Sequence, residues 1–304
     1  MITLKSRSFN GLMYELADRL VEDAKPVDSL TWQSQSTQGR EGLGRTWELE
    51  DVCFELGVPM SVTSMAHLVK PNLPWADEHF EERVSGVALN PPPSHERWPF
   101  RKNDNSEHLA SGQFSHTYPE RFWPKHAGPG HAPTSCSSSI RGKYGPNEYC
   151  DLGPQFGVRY HLGDLLDVVK LLDRDPTTRQ AYLPIWFPED TGSVEGQRVP
   201  CSLGYQFRIR QGRLNCTYHM RSCDYLRHMR DDVYHAMRLM WWVADRWWFM
   251  EGNEGAKGSR LTLGTLAMNI GSLHVFDGDR EFMKTHVVEL QTKESQRLME
   301  AMMS

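Results

Sequence analysis

The chain has 304 residues, 39% of them hydrophobic and 24% charged, which is ordinary for a water-soluble globular protein long enough to bury a sizeable core. Its net charge of -5 gives no global basic footprint of the kind that neutralises a nucleic-acid backbone, so nucleic acid is not the expected partner, though a local anion pocket stays open. The six cysteines form no CxxC pair and no regular framework, which fits reduced thiols.

The first thirty residues contain no charged stretch followed by an apolar run, so no targeting segment is expected and the protein is read as cytoplasmic. "NGLMYELADRLVEDA" carries apolar residues at helical spacing and predicts a helix. "TWQSQSTQGREGLGRTWELED" follows as a loop with Arg40 and Arg45 among glycines. From Val87 to about Cys150 the composition turns to Pro, His, Ser and aromatics, including Trp98, Tyr118, Phe122 and Trp123, which reads as an insertion or lid within a single domain spanning 1–304. His126, His131, Cys136 and Cys150 fall in or at the edge of it, but their spacing matches no common structural zinc pattern and no metal is expected.

Beyond the insertion, "LGDLLDVVKLLD" places Leu162, Leu165, Leu166, Val169 and Leu172 on one helical face, "RDPTT" ends it, and "RQAYLPIWF" reads as a largely buried strand. "PCSLGYQFRIRQGRLNCTYHMRSCDYLRH" alternates on both sides of Gln211-Gly212 and predicts a hairpin with Cys201, Leu203, Tyr205, Phe207 and Ile209 turned inward. A two-residue turn at Gln211-Gly212 sets Cys201 opposite Ser222. "VYHAMRLMWWVADRWWFM" is the most apolar helix candidate, but Arg238, Asp245 and Arg246 interrupt the ~20 apolar residues that a membrane span needs, so a core or interface helix is expected.

An inward cysteine on a strand is ordinarily a small buried hydrophobe. Arg221 and Ser222 beside Cys201 change that reading, because a guanidinium fork and a hydroxyl near a thiol form a corner that favours thiolate and holds a phosphorylated ligand. Cys216 and Cys223 are read as packing.

"PCSLGYQF", "MRSCDYLRH" and "NIGSLHVF", in that order, resemble the thymidylate synthase superfamily, and "DPTTRQAYLPIWF" resembles the segment that precedes its nucleophile. The wording of the insertion is similar to the pyrimidine-modifying branch found in phages and nucleoside-antibiotic pathways. The resemblance implies an α/β (α+β) fold with a large mixed sheet and flanking helices, a homodimer, and 5,10-methylenetetrahydrofolate as the one-carbon donor. By the same resemblance Cys201 is the thiolate that adds to C6 of the pyrimidine, and Arg221, Ser222, Arg45 and the partner subunit's Arg179 hold the 5′-phosphate. Asp224 and Trp98 are candidates for the folate site, Asp224 also for its activation. His274 matches the sugar-binding histidine, while Phe276 stands where the family has a tyrosine.

Eight residues after Asp224 the thymidylate synthases place an asparagine that reads uracil; the same count here reaches Asp232, with Asp231 as runner-up. An ionised carboxylate only accepts, which suits the exocyclic amine of cytosine. The alternative for either aspartate is a helix N-cap. The expected reaction is therefore hydroxymethylation of dCMP, with Ser222 favouring dCMP over CMP. A methyltransferase ending in hydride transfer, a dUMP enzyme, or a non-catalytic nucleotide-binding homologue are the rivals. Hydroxymethylation calls for a carboxylate that activates water. The run "WADEHFEERVSG", where the family supplies such a glutamate, offers Glu78, Glu81 and Glu82, with Glu82 favoured.

Overall fold

The computed structural model describes residues 2–5, 8–28, 45–100, 114–124, 163–188, 190–191, 199–250 and 260–303. Arg40, Leu162, His126, His131, Cys136 and Cys150, and with them most of the insertion, lie outside the described residues.

Strands β1 (Ile2–Lys5), β2 (Lys25–Asp28), β3 (Arg45–Gly57), β4 (Tyr182–Pro184), β5 (Ser202–Arg210), β6 (Arg213–Asp224) and β7 (Thr262–Phe276) form one mixed sheet in the order β1-β3-β7-β6-β5-β4, with β2 also paired to β3. β3 runs antiparallel to β7, β7 parallel to β6, and β6 antiparallel to β5. Helices α1 (Phe9–Glu22), α2 (Val62–Val69), α3 (Trp75–Val84), α4 (Tyr118–Phe122), α5 (Leu165–Arg174), α6 (Met229–Trp248) and α7 (Arg280–Met303) complete the described secondary structure, with 3₁₀ turns at Pro93–Arg97 and Asp277–Asp279. This is the mixed sheet with flanking helices that the family resemblance implies.

The helices begin where their caps dictate. Ser8 accepts from the Gly11 amide and starts α1, whose Leu12, Met13, Leu16 and Leu20 are buried on one face. Asp164 and Asp167 form a reciprocal capping box at α5, which buries Leu165, Val168, Val169 and Leu172; Leu166 is only partly buried. The β4 segment is shorter than the buried run expected. Ala181, Leu183 and Ile185 are fully buried while Tyr182 is exposed, the alternation of a strand with one wet face.

Helix α6 packs on β6 and β7 and is the centre of the core. Its Tyr234, Met237, Met240 and Val243 are fully buried. Arg238, 7% exposed, is neutralised by Asp77 and by Glu81 at 2.5 Å, both on α3, so a charge inside an apolar helix clamps α3 against α6. Among the described residues no helix is long and apolar enough to cross a membrane.

Candidate active site

The β5–β6 hairpin turns at Gln211 and Gly212 with φ of 52° and 70°, the left-handed pair that matches strand twist in a two-residue turn. From Arg210↔Arg213 to Gly204↔His219 the pairing follows the register that the turn predicts. Between Gly204 and Ser202 it slips by one, leaving Leu203 as the extra residue of a β-bulge. Gly204 permits this: a Cβ there would sit 2.7 Å from the Leu183 carbonyl oxygen. The slip corrects two sequence expectations. Cys201 lies opposite Arg221, whose amide donates to the Cys201 carbonyl at 2.9 Å, rather than opposite Ser222. Cys201 also turns outward and is exposed, while Ser202 takes the buried place. An exposed thiol can meet a ligand, which an inward one on this strand cannot.

Arg221 is tied to this end of the strand. Its Nε donates to the Pro200 carbonyl at 2.8 Å and one terminal nitrogen to the Val199 carbonyl at 3.2 Å, with the Cys201 sulfur 3.9 Å away. Cys201 opens onto a cavity of about 160 Å³. That volume is below the ~300–1,000 Å³ of whole-ligand sites and fits the planar end of a ligand, with the rest extending outward.

Of the sequence candidates, Cys201, Ser222, Asp224, Asp232 and Trp98 line this cavity. Asp232 keeps a surface open to it while protein surrounds it on the other sides. Burial therefore disfavours the carboxylate, the nearby Arg83 offsets only part of this, and the pKa rises to about 7. The buried Cys223 thiol points at Asp232 from 3.7 Å and is itself pushed well up by burial and by the Asp232 and Asp224 carboxylates. Asp231 also touches the cavity, but its two oxygens accept from the Asn72 amide at 2.8 Å and side chain at 2.7 Å. Neither aspartate is the N-cap: that position is His228, and both stand inside the first turn, where the helix dipole favours negative charge.

Asp224 lines the cavity but is already committed. It accepts from the Leu226 and Arg227 amides and from the Arg227 guanidinium, each at 3.0 Å. Trp98 stacks on His228 with ring centroids 5.7 Å apart and Phe100 set edge-on to that ring, an aromatic shelf at the cavity. His274, Arg45, Arg179, Arg221 and Glu82 lie off the cavity lining. His274 is buried in β7 beside Asp224. Arg45 is paired with Asp28 at 2.7 Å on the exposed β2–β3 edge. Arg179 is exposed before β4, its carbonyl accepting from Gln206 at 3.2 Å. Glu78 pairs with Arg97 at 2.8 Å and Glu81 with Arg238, so two of the three glutamates considered for water activation are engaged elsewhere.

Half of the cavity comes from residues that the sequence reading did not single out. Trp75, His79 and Arg83 recur at intervals of four and share one face of α3. The described parts of the insertion contribute Pro92, Ser94, His95 and Phe114, beside the Tyr118 named among its aromatics. Buried Arg83 lies over the Tyr118 ring at 3.9 Å, and the Tyr118 hydroxyl meets Ser202 at 3.0 Å. A tryptophan, a histidine and an arginine at helical spacing just before a proline-rich stretch were the available signal.

Residues 138–300 match the family model described as "Thymidylate synthase". The chain is 28% identical over 120 residues to a putative thymidylate synthase of Methanosarcina barkeri, covering 40% of this chain and 49% of that protein. It is 23% identical over 154 residues to a bifunctional dihydrofolate reductase-thymidylate synthase of Paramecium tetraurelia, covering 45% of this chain and 30% of the relative. The chain thus spans half or less of the length of these curated relatives.

Proposed function

The chain belongs to the thymidylate synthase family, and on that premise we propose that it transfers a one-carbon unit from 5,10-methylenetetrahydrofolate to C5 of dCMP, giving 5-hydroxymethyl-dCMP. The observation that carries the reading is the cavity itself, with an exposed cysteine on one wall and a carboxyl of pKa about 7 on another.

C5 of cytosine is a poor nucleophile. Addition of the Cys201 thiolate to C6 makes C5 enamine-like and able to attack the one-carbon unit of the folate, which is consumed as co-substrate. Asp232 supplies both base recognition and activation. With its proton on, one oxygen accepts from the N4 amine and the other donates to N3, and a proton shared with N3 draws electrons from C6 as the sulfur adds. Uracil presents O4 and N3–H in those places, and above pH 7, where the carboxylate is ionised, it meets repulsion at O4. The Trp98–His228–Phe100 shelf supports stacking of the folate ring, and Asp224 stands at that side.

The enzyme acts as a homodimer in this reading. The sheet face that carries Gln206, Arg208, Thr217, His219 and Asn269 is half-exposed in a single chain, and exposed Arg179 would reach from it into the partner's phosphate site, joining Arg221 and Ser222. The test is release of tritium from [5-³H]dCMP on addition of 5,10-methylenetetrahydrofolate. Release that depends on Cys201 supports the reading; no release from dCMP in the wild-type protein overturns it and leaves a nucleotide-binding homologue.

A further inference from the structure

Hydroxymethylation ends with addition of water to an exocyclic methylene on C5, and that step needs a base at the cavity wall. Glu82 is not in that wall. Its carboxylate accepts from the Ser94 amide at 2.6 Å and from the Ser94 hydroxyl in a short hydrogen bond. The ring in front of it is His79, which lines the cavity with Cys201 and is only 12% exposed at its side chain.

Because the Ser94 hydroxyl gives its proton to Glu82, it accepts at its lone pair, and the His79 Nδ1 at 3.1 Å is the donor. Glu82 lies 3.5 Å behind the same nitrogen. The relay fixes the Nδ1–H tautomer and leaves the basic lone pair on Nε2. Trp75 stacks on the ring at 4.9 Å, and Tyr118 and His235 meet it edge-on, so the imidazole is held in place.

We propose that His79 is the general base of the hydration step, oriented by Ser94 and Glu82; the inference rests on the hydroxymethylase reading above. The charged and titratable groups around it are Glu82 and Arg83 on its own helix, His95 and Tyr118 from the insertion, and His235 from α6. Burial and Arg83 lower the imidazole pKa to about 4, against the pull of Glu82, so the ring is neutral and able to accept at neutral pH. Beside it, His235 donates from Nε2 to the Ala76 carbonyl at 3.0 Å, and its buried Nδ1 has no partner among the described residues.

The step balances without an oxidant or reductant. The water oxygen bonds to the exocyclic carbon, its proton goes to His79 Nε2, and the methylene electron pair moves through C5–C4 to N3, which takes the Asp232 proton. As N3 returns that proton, the pair moves back to form C5=C6, the C6–S bond breaks, and Cys201 leaves as thiolate. His79 then releases its proton to solvent.

His79→Gln keeps a polar group at the reach of Nε2 but removes the base. In single turnover with enzyme in excess, it should release tritium from [5-³H]dCMP at near the wild-type rate. It should form 5-hydroxymethyl-dCMP roughly 10²-fold more slowly and accumulate the covalent Cys201–nucleotide adduct seen by mass spectrometry. Product at the wild-type rate, or equal loss of tritium release and product in a variant that still binds dCMP, overturns the role of His79. No tritium release in the wild-type protein overturns the hydroxymethylase reading instead. If His79→Gln does not fold, Ser94→Ala cuts the relay: product formation should fall with tritium release kept, and unchanged product formation overturns the proposal.

Discussion

Replacing Asp232 by asparagine perturbs one carboxyl that serves recognition, activation and stability together. Burial, partly offset by Arg83, moves its pKa from 3.8 to about 7. That shift of about three units amounts to ~4 kcal/mol against the charged form. Below pH 7 the site carries the proton that N3 of cytosine accepts. Above pH 7 it is lost, and dCMP binding weakens by up to ~tenfold per pH unit, or about 25-fold between pH 6.5 and 8.5. The asparagine amide does not titrate. It donates to O4 and accepts from N3–H of uracil, and a bidentate pair of this kind is worth ~1–3 kcal/mol, so the dUMP-to-dCMP ratio of kcat/KM should rise about 10–100-fold. The folded carboxyl also keeps a proton that the unfolded chain releases above about pH 4, so Asp232 costs stability as pH rises from 4 to 7. His79 acts with the opposite sign, since its folded pKa of about 4 lies below its unfolded value, and its contribution grows with pH. Melting curves of wild type and variant compared at each pH isolate Asp232, and the variant should gain on the wild type between pH 4 and 7. Calorimetric dCMP affinity that stays flat across pH 6.5–8.5, or unchanged base preference in the variant, shows that Asp232 does not read the base.

Cys201→Ser should abolish tritium release while nucleotide binding persists, because a hydroxyl does not ionise as a thiol of pKa ~8.5 does; Cys216→Ala, in a buried position, should turn over normally. Arg179→Ala should weaken dCMP binding, and mixing it with Cys201→Ser should restore part of the activity through hybrid sites; no rescue after confirmed subunit exchange counts against a shared site. Glu82→Gln should lower product formation more than tritium release, through the His79 relay, as measured in the same single-turnover assay. Tyr225→Phe removes a buried hydroxyl that donates to the Met13 carbonyl at 2.7 Å and should cost about 1 kcal/mol in urea unfolding without affecting catalysis.

Periodicity made most of the fold legible. The α1 and α5 stripes, the hairpin turn and the buried character of α6 follow from apolar spacing and from the turn residues. The bulge at Leu203 was not legible, because Ser202, Leu203 and Gly204 fit an uninterrupted alternation until Gly204 meets the Leu183 backbone. That one residue decides whether Cys201 is buried or exposed. The place of Asp232 follows from the resemblance by counting from Asp224, but its separation from Asp231 does not: the Asn72 contacts of Asp231 and the Cys223 contact of Asp232 distinguish the two. The family resemblance and the adjoining Arg83 favour Glu82 as water activator, but its partner Ser94 from the insertion holds it off the cavity lining, with His79 in front. Long-range partners of this kind leave no local pattern in a single sequence.

Incubating the protein with 5,10-methylenetetrahydrofolate and either dCMP or dUMP, and identifying the nucleotide and folate products by mass spectrometry, decides both substrate and reaction. Hydroxymethylation gives 5-hydroxymethyl-dCMP together with tetrahydrofolate and leaves dUMP unreacted; 5-methyl-dCMP with stoichiometric dihydrofolate, or unreacted dCMP beside converted dUMP, rules it out.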